Sequence, residues 1–253
     1  VAPSRRAAVA APATWAAASQ SVVQHRATRA ACSHGDCLGT RVGAAYHQSV
    51  IAAISLPAEA KAWKDYRPIF VTGRRIADGA AFYRANAALL KKTETDFGVP
   101  AELIVTTLGV ETNYGRVTGR YRVLDALTTL AFYYPPRQDF FRSELAQLFT
   151  LRSPSFPYAP GELMGSYAGA LGWGQFMPTS IAQWAKDADG DGRIDLWNSL
   201  PDITASAPND FSAHGRLTGQ PIAVRAQPPR DHRALQPTRQ HRHTRMTHLA
   251  DRA

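Results

Sequence analysis

The chain has 253 residues, 45% of them hydrophobic, and a formal net charge of +9. That is enough for one large domain or two small ones around a buried core. No run of 18 or more apolar residues occurs, which argues against a membrane-spanning helix. Locating the charge removes the nucleic-acid reading that a pI of 9.9 first suggests. Residues 1–44 carry a net +4 and residues 225–253 a net +5, whereas 45–224 hold 17 basic and 17 acidic residues. The excess is confined to the flanks, so no specific nucleic-acid partner is expected of the core.

In chain order, residues 1–44 form a divergent Ala/Arg-rich flank with an early Arg5-Arg6 pair. It lacks a compact apolar stretch, so no signal peptide is assigned. Cys32 and Cys37 lie in it; they could close a small disulfide or be incidental thiols. His34 and Asp36 beside them do not complete a convincing metal set. Residues 45–224 read as one ordered, mostly helical domain. Asp78 to Phe97 is predicted to be a helix, with Phe82, Ala85 and Leu89 on one face. Gly98 suits a left-handed stop and Pro100 the first turn of the next helix. That helix runs from about Pro100 to Asn113 and is apolar nearly all round, as buried central helices are. Leu124 to Tyr133 and Asp139 to Leu151 read as two more helices, split by Pro135-Pro136. Strand signals are weak, and Pro154 to Pro160 is a proline-rich loop. Pro208 is expected to interrupt any helix around it, at a cost of about 3 kcal/mol. Residues 225–253, rich in His, Arg and Pro, read as a basic disordered tail.

Glu111 is the most informative residue. It closes the apolar run of the helix predicted over 100–113, where desolvation would raise a carboxyl's pKa. A carboxyl kept protonated near neutral pH can act as a general acid on a glycosidic oxygen. The competing reading is an acid exposed at the helix end or paired with Arg116.

Two stretches of sequence carry that choice further. Gly109-Val110-Glu111-Thr112-Asn113-Tyr114-Gly115 is followed, about 55 residues on, by the glycine-rich run Gly165-Ser166-Tyr167-Ala168-Gly169-Ala170-Leu171-Gly172-Trp173-Gly174-Gln175-Phe176-Met177-Pro178. With Tyr66-Arg67-Pro68-Ile69-Phe70, the 124–130 segment and Asp195-Leu196-Trp197, these closely resemble the lytic murein transglycosylase B family over about residues 45–224. The resemblance implies a mainly α, lysozyme-like catalytic domain with an EF-hand-like loop. It also implies a monomer of the bacterial periplasm or outer membrane that acts on peptidoglycan glycan strands. The MurNAc–GlcNAc β-1,4 bond would be cleaved without water to give 1,6-anhydro-MurNAc, with Glu111 as the lone acid/base. Ordinary glycosidases need a second carboxylate; here the sugar's own C6 hydroxyl would replace it at high effective concentration.

By the same resemblance Tyr66, Ser166, Gln175, Phe176 and Met177 would hold the glycan, and Arg137 the acidic peptide stem. Trp173 and Tyr167 offer further sugar-facing rings. Phe176 and Met177 read equally well as core residues. One of the family's two arginines at the stem-binding segment is replaced by Pro136, so stem binding is expected to be weaker. Asp187, Asp189 and Asp191 match the first half of an EF-hand loop, with Gly192 at the sixth position and Arg193 offering its carbonyl. Asn198 stands at the twelfth position, and Asp202 is the candidate for the last acid. A structural Ca²⁺ is therefore expected in the region 186–203; the bland reading is an Asp/Gly surface turn.

Beyond about Val224 the motifs of the family's C-terminal part are not found. The flanks are accordingly expected to derive from a frameshift or truncation of a GC-rich gene. Two classes follow: a working transglycosylase, or a truncated inactive member that at most binds glycan chains.

Overall fold

The structure, a computed structural model, describes residues 43–56 and 61–213. The Cys32–Cys37 pair, most of the N-terminal flank and the basic tail lie outside the described residues.

The fold is mainly helical. Nine α-helices are present among the described residues: α1 Gln48–Ser55, α2 Trp63–Phe70, α3 Gly73–Ala85, α4 Ala87–Phe97, α5 Ala101–Thr112, α6 Val123–Tyr133, α7 Gln138–Thr150, α8 Pro178–Trp184 and α9 Leu200–Ala213. A 3₁₀ turn, Pro135–Arg137, joins α6 to α7. Two short strands, β1 Tyr121–Arg122 and β2 Met164–Gly165, pair antiparallel with Tyr121 opposite Gly165. The weak strand signal of the sequence matches strands of only two residues.

The helix starts and stops follow local chemistry. The Thr72 side chain accepts from the Arg75 amide at 3.1 Å and caps α3. Gly98 ends α4 in the left-handed conformation (φ 65°), as its sequence position predicts. Pro100 sits immediately before α5, where its missing N–H costs nothing.

Two expectations are corrected. The single helix over 78–97 is two helices broken at Asn86. There the Asn86 amide side chain donates to the Phe82 carbonyl at 2.9 Å and its backbone leaves helical geometry. A side chain that bonds to its own backbone competes with the helical ladder. Pro208, expected to interrupt, lies inside α9. Every residue from Asp202 to Pro208 is buried, and Ile203, Ala205 and Ala207 are core. Burying an isoleucine alone returns roughly 2 kcal/mol, so packing offsets much of the proline's local cost. Asn209 adds a bond from its side-chain nitrogen to the Trp184 carbonyl, 2.7 Å.

Among the described residues the core has two parts. The larger joins α1, α6, α7 and the chain from 151 to 197 around Leu124, Leu127, Leu130, Phe141, Leu148 and Leu171. The smaller joins α4, α5 and α9 around Leu90, Val99, Ile104, Leu108 and Ile203. Helix α6 is buried continuously from Val123 to Ala131. It therefore carries polar groups into the core, each with a partner. The buried Asp125 carboxylate accepts from the Ala45 amide (2.8 Å) and from Arg122 Nε (2.9 Å), and Thr129 Oγ1 accepts from the His47 amide (3.1 Å). These bonds strap residues 43–47 onto α6.

Candidate active site

Glu111 lies in the last turn of α5 and is half-buried, not enclosed. The helix ends abruptly after it. Asn113 (φ 51°), Tyr114 (φ 59°) and Gly115 (φ 76°) are all left-handed; asparagine is tolerated there, but for Tyr114 this costs about 1–2 kcal/mol. The surroundings fix them. The Tyr114 ring stacks on Phe82 with centroids 5.5 Å apart. Its hydroxyl, which donates to the Arg75 carbonyl at 3.3 Å, fits against Gly79 and Gly109. A Cβ at Gly79 or Gly109 would lie 2.4 or 2.5 Å from that oxygen. Burial, the largest influence, pushes the Tyr114 hydroxyl's pKa up. Arg116, the alternative partner for Glu111, pairs with Asp78.

The glycine-rich segment packs directly on this helix end. A Cβ at Gly115 would lie 2.0 Å from the Trp173 indole, so glycine is required there for space as well as conformation. Thr112 Oγ1 lies 3.0 Å from the Trp173 carbonyl, joining positions 61 residues apart in sequence. Within the segment, Ser166 Oγ accepts from the amides of Ala168 (3.2 Å) and Ala170 (3.1 Å), closing a tight turn. Gln175 is left-handed (φ 50°) and buried; its side-chain nitrogen donates to the Gly172 carbonyl (3.0 Å) and the Thr118 carbonyl (3.3 Å). Phe176 and Met177 are 3% and 4% exposed and belong to the larger core. The segment is pinned downstream by the buried Glu144, whose carboxylate accepts from the amide (2.9 Å) and hydroxyl (2.6 Å) of Thr179.

Tyr66 is half-buried on α2, its ring 5.0 Å from that of Phe70. Arg137, also half-buried, lies over the Phe140 ring at 4.3 Å and near Phe141 at 5.4 Å. A cleft of about 540 Å³ opens between α2, α3 and α5, lined among others by Phe70, Arg75, Tyr83, Glu102, Val105 and Tyr114. Its wall includes Gly109 and Val110 but not Glu111.

The acidic loop follows α8. Carboxylate oxygens of Asp187, Asp189 and Asp202 lie within 4.8 Å of one another. Asp202 is 1% exposed. Burial first, then the neighbouring Asp189 and Asp187 charges, raise its pKa against the bonds it accepts from the Asp195 and Ala188 amides. Gly190 (φ 78°) and Gly192 (φ 86°) form the turn between the acids. Asp191 lies in the same loop but accepts from the Arg193 amide at 2.8 Å. Asp195 accepts from the Trp197 and Asn198 amides, both at 2.9 Å. Tyr158, reaching in from the proline-rich loop, has its hydroxyl pushed up to about 12 by burial and by the Asp195 charge.

The sequence profile of the transglycosylase SLT domain matches residues 14–252. The chain belongs to this family. The match reaches beyond the motif-bearing stretch 45–224 at both ends. The membrane-bound lytic murein transglycosylase B of Escherichia coli is 44% identical over 165 residues, 65% of this chain and 45% of that protein. The chain thus spans less than half the length of this curated relative. The soluble lytic transglycosylase SltB1 of Pseudomonas aeruginosa superposes with a TM-score of 0.75 at 44% identity, over 81% of this chain and 69% of that one. The Escherichia coli lytic transglycosylase Slt35, solved in complex with calcium, superposes with a TM-score of 0.70 at 36% identity, over 80% and 64% of the two chains.

In this transglycosylase domain, the motifs around Glu111 and in 165–178 come together at the Thr112–Trp173 contact. Sequence reasoning missed that contact and the left-handed run behind it. The Gly109 and Gly115 spacing around Glu111 was the available signal, since both glycines are emptied for a neighbouring ring. No helix among the described residues is long and apolar enough to cross a membrane.

Proposed function

We propose that this chain is a peptidoglycan lytic transglycosylase that cleaves the MurNAc–GlcNAc β-1,4 bond without water, with Glu111 as its acid and base. Supporting this reading, on top of family membership, is the joining of the helix end that bears Glu111 to the glycine-rich segment through Thr112 and Trp173. In the reaction, the Glu111 carboxylic acid gives its proton to the glycosidic oxygen as the bond to MurNAc C1 breaks. The resulting carboxylate takes the proton of the MurNAc C6 hydroxyl as that oxygen bonds to C1. Glu111 ends protonated as it began, and no water is consumed. Ser166, Gln175 and Tyr66 would orient the glycan, with Phe176 and Met177 forming the floor behind the segment. Arg137 would meet the carboxylates of the peptide stem. The site of action would be the cell wall, in the periplasm or at the outer membrane, with the chain working as a monomer.

Calcium fits the acidic loop. Three carboxylates converge, one of them buried, and only oxygen ligands are offered, which suits a hard cation. Asp187, Asp189, Asp191 and Asp202 with the Arg193 carbonyl would hold it, as a brace for the chain between α8 and α9.

Digestion of purified peptidoglycan followed by mass spectrometry tests the reaction. Muropeptides ending in 1,6-anhydro-MurNAc are expected, and Glu111→Gln should lower their yield by at least about 1,000-fold, in the range seen when acid/base function is lost with its charge stabilisation. Reducing-end products alone would reject the lyase assignment. Binding without any product would favour a glycan-binding role.

A further inference from the structure

We propose that Thr112 is the positioning residue for Glu111, locking the last turn of α5 to the glycine-rich segment through its hydroxyl; this rests on Glu111 being the acid/base. Thr112 is 1% exposed. Its Oγ1 lies 3.0 Å from the Trp173 carbonyl oxygen, 3.1 Å from the Gly115 amide nitrogen and 3.4 Å from the Leu108 carbonyl oxygen. A hydroxyl has one proton and two lone pairs. It donates across the gap to Trp173 and accepts from Gly115.

Four other helical threonines show the local alternative, whereas Thr179, like Thr112, turns its hydroxyl to another element. Thr93, Thr95, Thr106 and Thr107 each donate to the carbonyl four residues back, at 3.0, 2.9, 2.7 and 2.9 Å. That local bond is the default for threonine in a helix. At Thr112 the same bond is the longest of three contacts, and the hydroxyl is directed between elements instead.

The partners are themselves fixed. The Trp173 amide donates to the Leu196 carbonyl at 3.0 Å, so both backbone polar groups of Trp173 are held. Gly115 closes the left-handed run that stops α5, and the Trp173 indole fills the space beside it. Among described residues, the non-glycine positions with positive φ are Asn113, Tyr114 and Gln175, which flank this seam from both sides. Strained backbone persists only where its surroundings over-determine it. The Thr112 bridge is one such determinant, and it is adjacent in sequence to Glu111. Thr112→Val keeps the shape but leaves the Trp173 carbonyl and the Gly115 amide without this partner, freeing the helix end to shift.

The test compares Thr112→Val, Thr112→Ser and Glu111→Gln in turnover of purified glycan strands, with circular dichroism to confirm folding. Misplacement of a reacting group by about 1 Å can cost about 100-fold. Thr112→Val is therefore expected to lower kcat by about 10- to 100-fold with KM changed less than about threefold, and Thr112→Ser to restore kcat to within about threefold of wild type. Wild-type kcat in Thr112→Val overturns the proposal, as does an equal loss in Thr112→Ser, which would assign the effect to the methyl group. Should Thr112→Val not fold, amide exchange of the wild-type protein decides: a Gly115 amide as protected as the interior of α5 supports the bridge, and rapid exchange overturns it. Full activity in Glu111→Gln would instead sink the acid assignment, a result separate from any outcome at Thr112.

Discussion

Asp125 illustrates how a single buried charge is made tolerable. Burial alone would raise its carboxyl, but the Arg122 guanidinium, the Ala45 amide and the His47 ring outweigh burial and hold it below the usual carboxylate range. A depressed pKa contributes stability above the unfolded value of about 3.9, lost as pH falls through the lower folded value. The wild-type protein should therefore show an acid limb below about pH 4 that Asp125→Asn flattens in pH-dependent thermal melts. At neutral pH the same substitution should cost roughly 2 kcal/mol, less than a fully buried pair because the Arg122 side chain is 32% exposed. Asp125 lies in a stretch that the family resemblance marked, and its partner Arg122 is three residues away, yet its two remaining partners were illegible in sequence. They come from residues 45 and 47, about 80 positions away. The place of Glu111 in the last turn of its helix, by contrast, was legible because its cue is local: an apolar helical run that closes on it.

At the scale of elements, the α3–α5 crossing depends on absent side chains. The Tyr114 hydroxyl occupies space that Gly79 and Gly109 vacate. Alanine would favour the helix by about 1 kcal/mol at Gly109, but overpacking costs about 1–3 kcal/mol. We expect Gly109→Ala to destabilise by about 1 kcal/mol net in urea unfolding, the balance of propensity and overpacking. Gly73→Ala, with nothing within 4 Å of its added carbon, should be neutral or stabilising. The helix boundaries were largely readable because Gly98 and Pro100 act through their own backbones. The Asn86 break and the continuous helix through Pro208 were not. A local rule loses when a side chain finds a backbone partner, or when seven consecutive residues are buried together.

For the whole molecule, the acidic loop is where ligand binding and global stability meet. A cation bound only by the folded chain raises the melting temperature by mass action. A melting temperature higher in calcium than in EDTA is expected, and Asp202→Asn should abolish the difference; equal melting temperatures would reject the cation. The order of Asp and Gly along 187–195 made the loop readable. The convergence of Asp202 on it was anticipated only through family resemblance, because α9 must fold back to bring it there. The two-part core was not legible, since period and composition do not say which helices share neighbours.

Helix α2 has no buried residue at all, whereas α6 is buried through nine consecutive positions. The free energy needed to open a segment scales with what it buries. Deuterium should therefore enter the α2 amides through local openings, orders of magnitude faster than the α6 amides, which must wait for global unfolding. Tyr66 would then be presented by an element with an equilibrium of its own, and the time α2 spends attached would set a ceiling on how often that ring is in place.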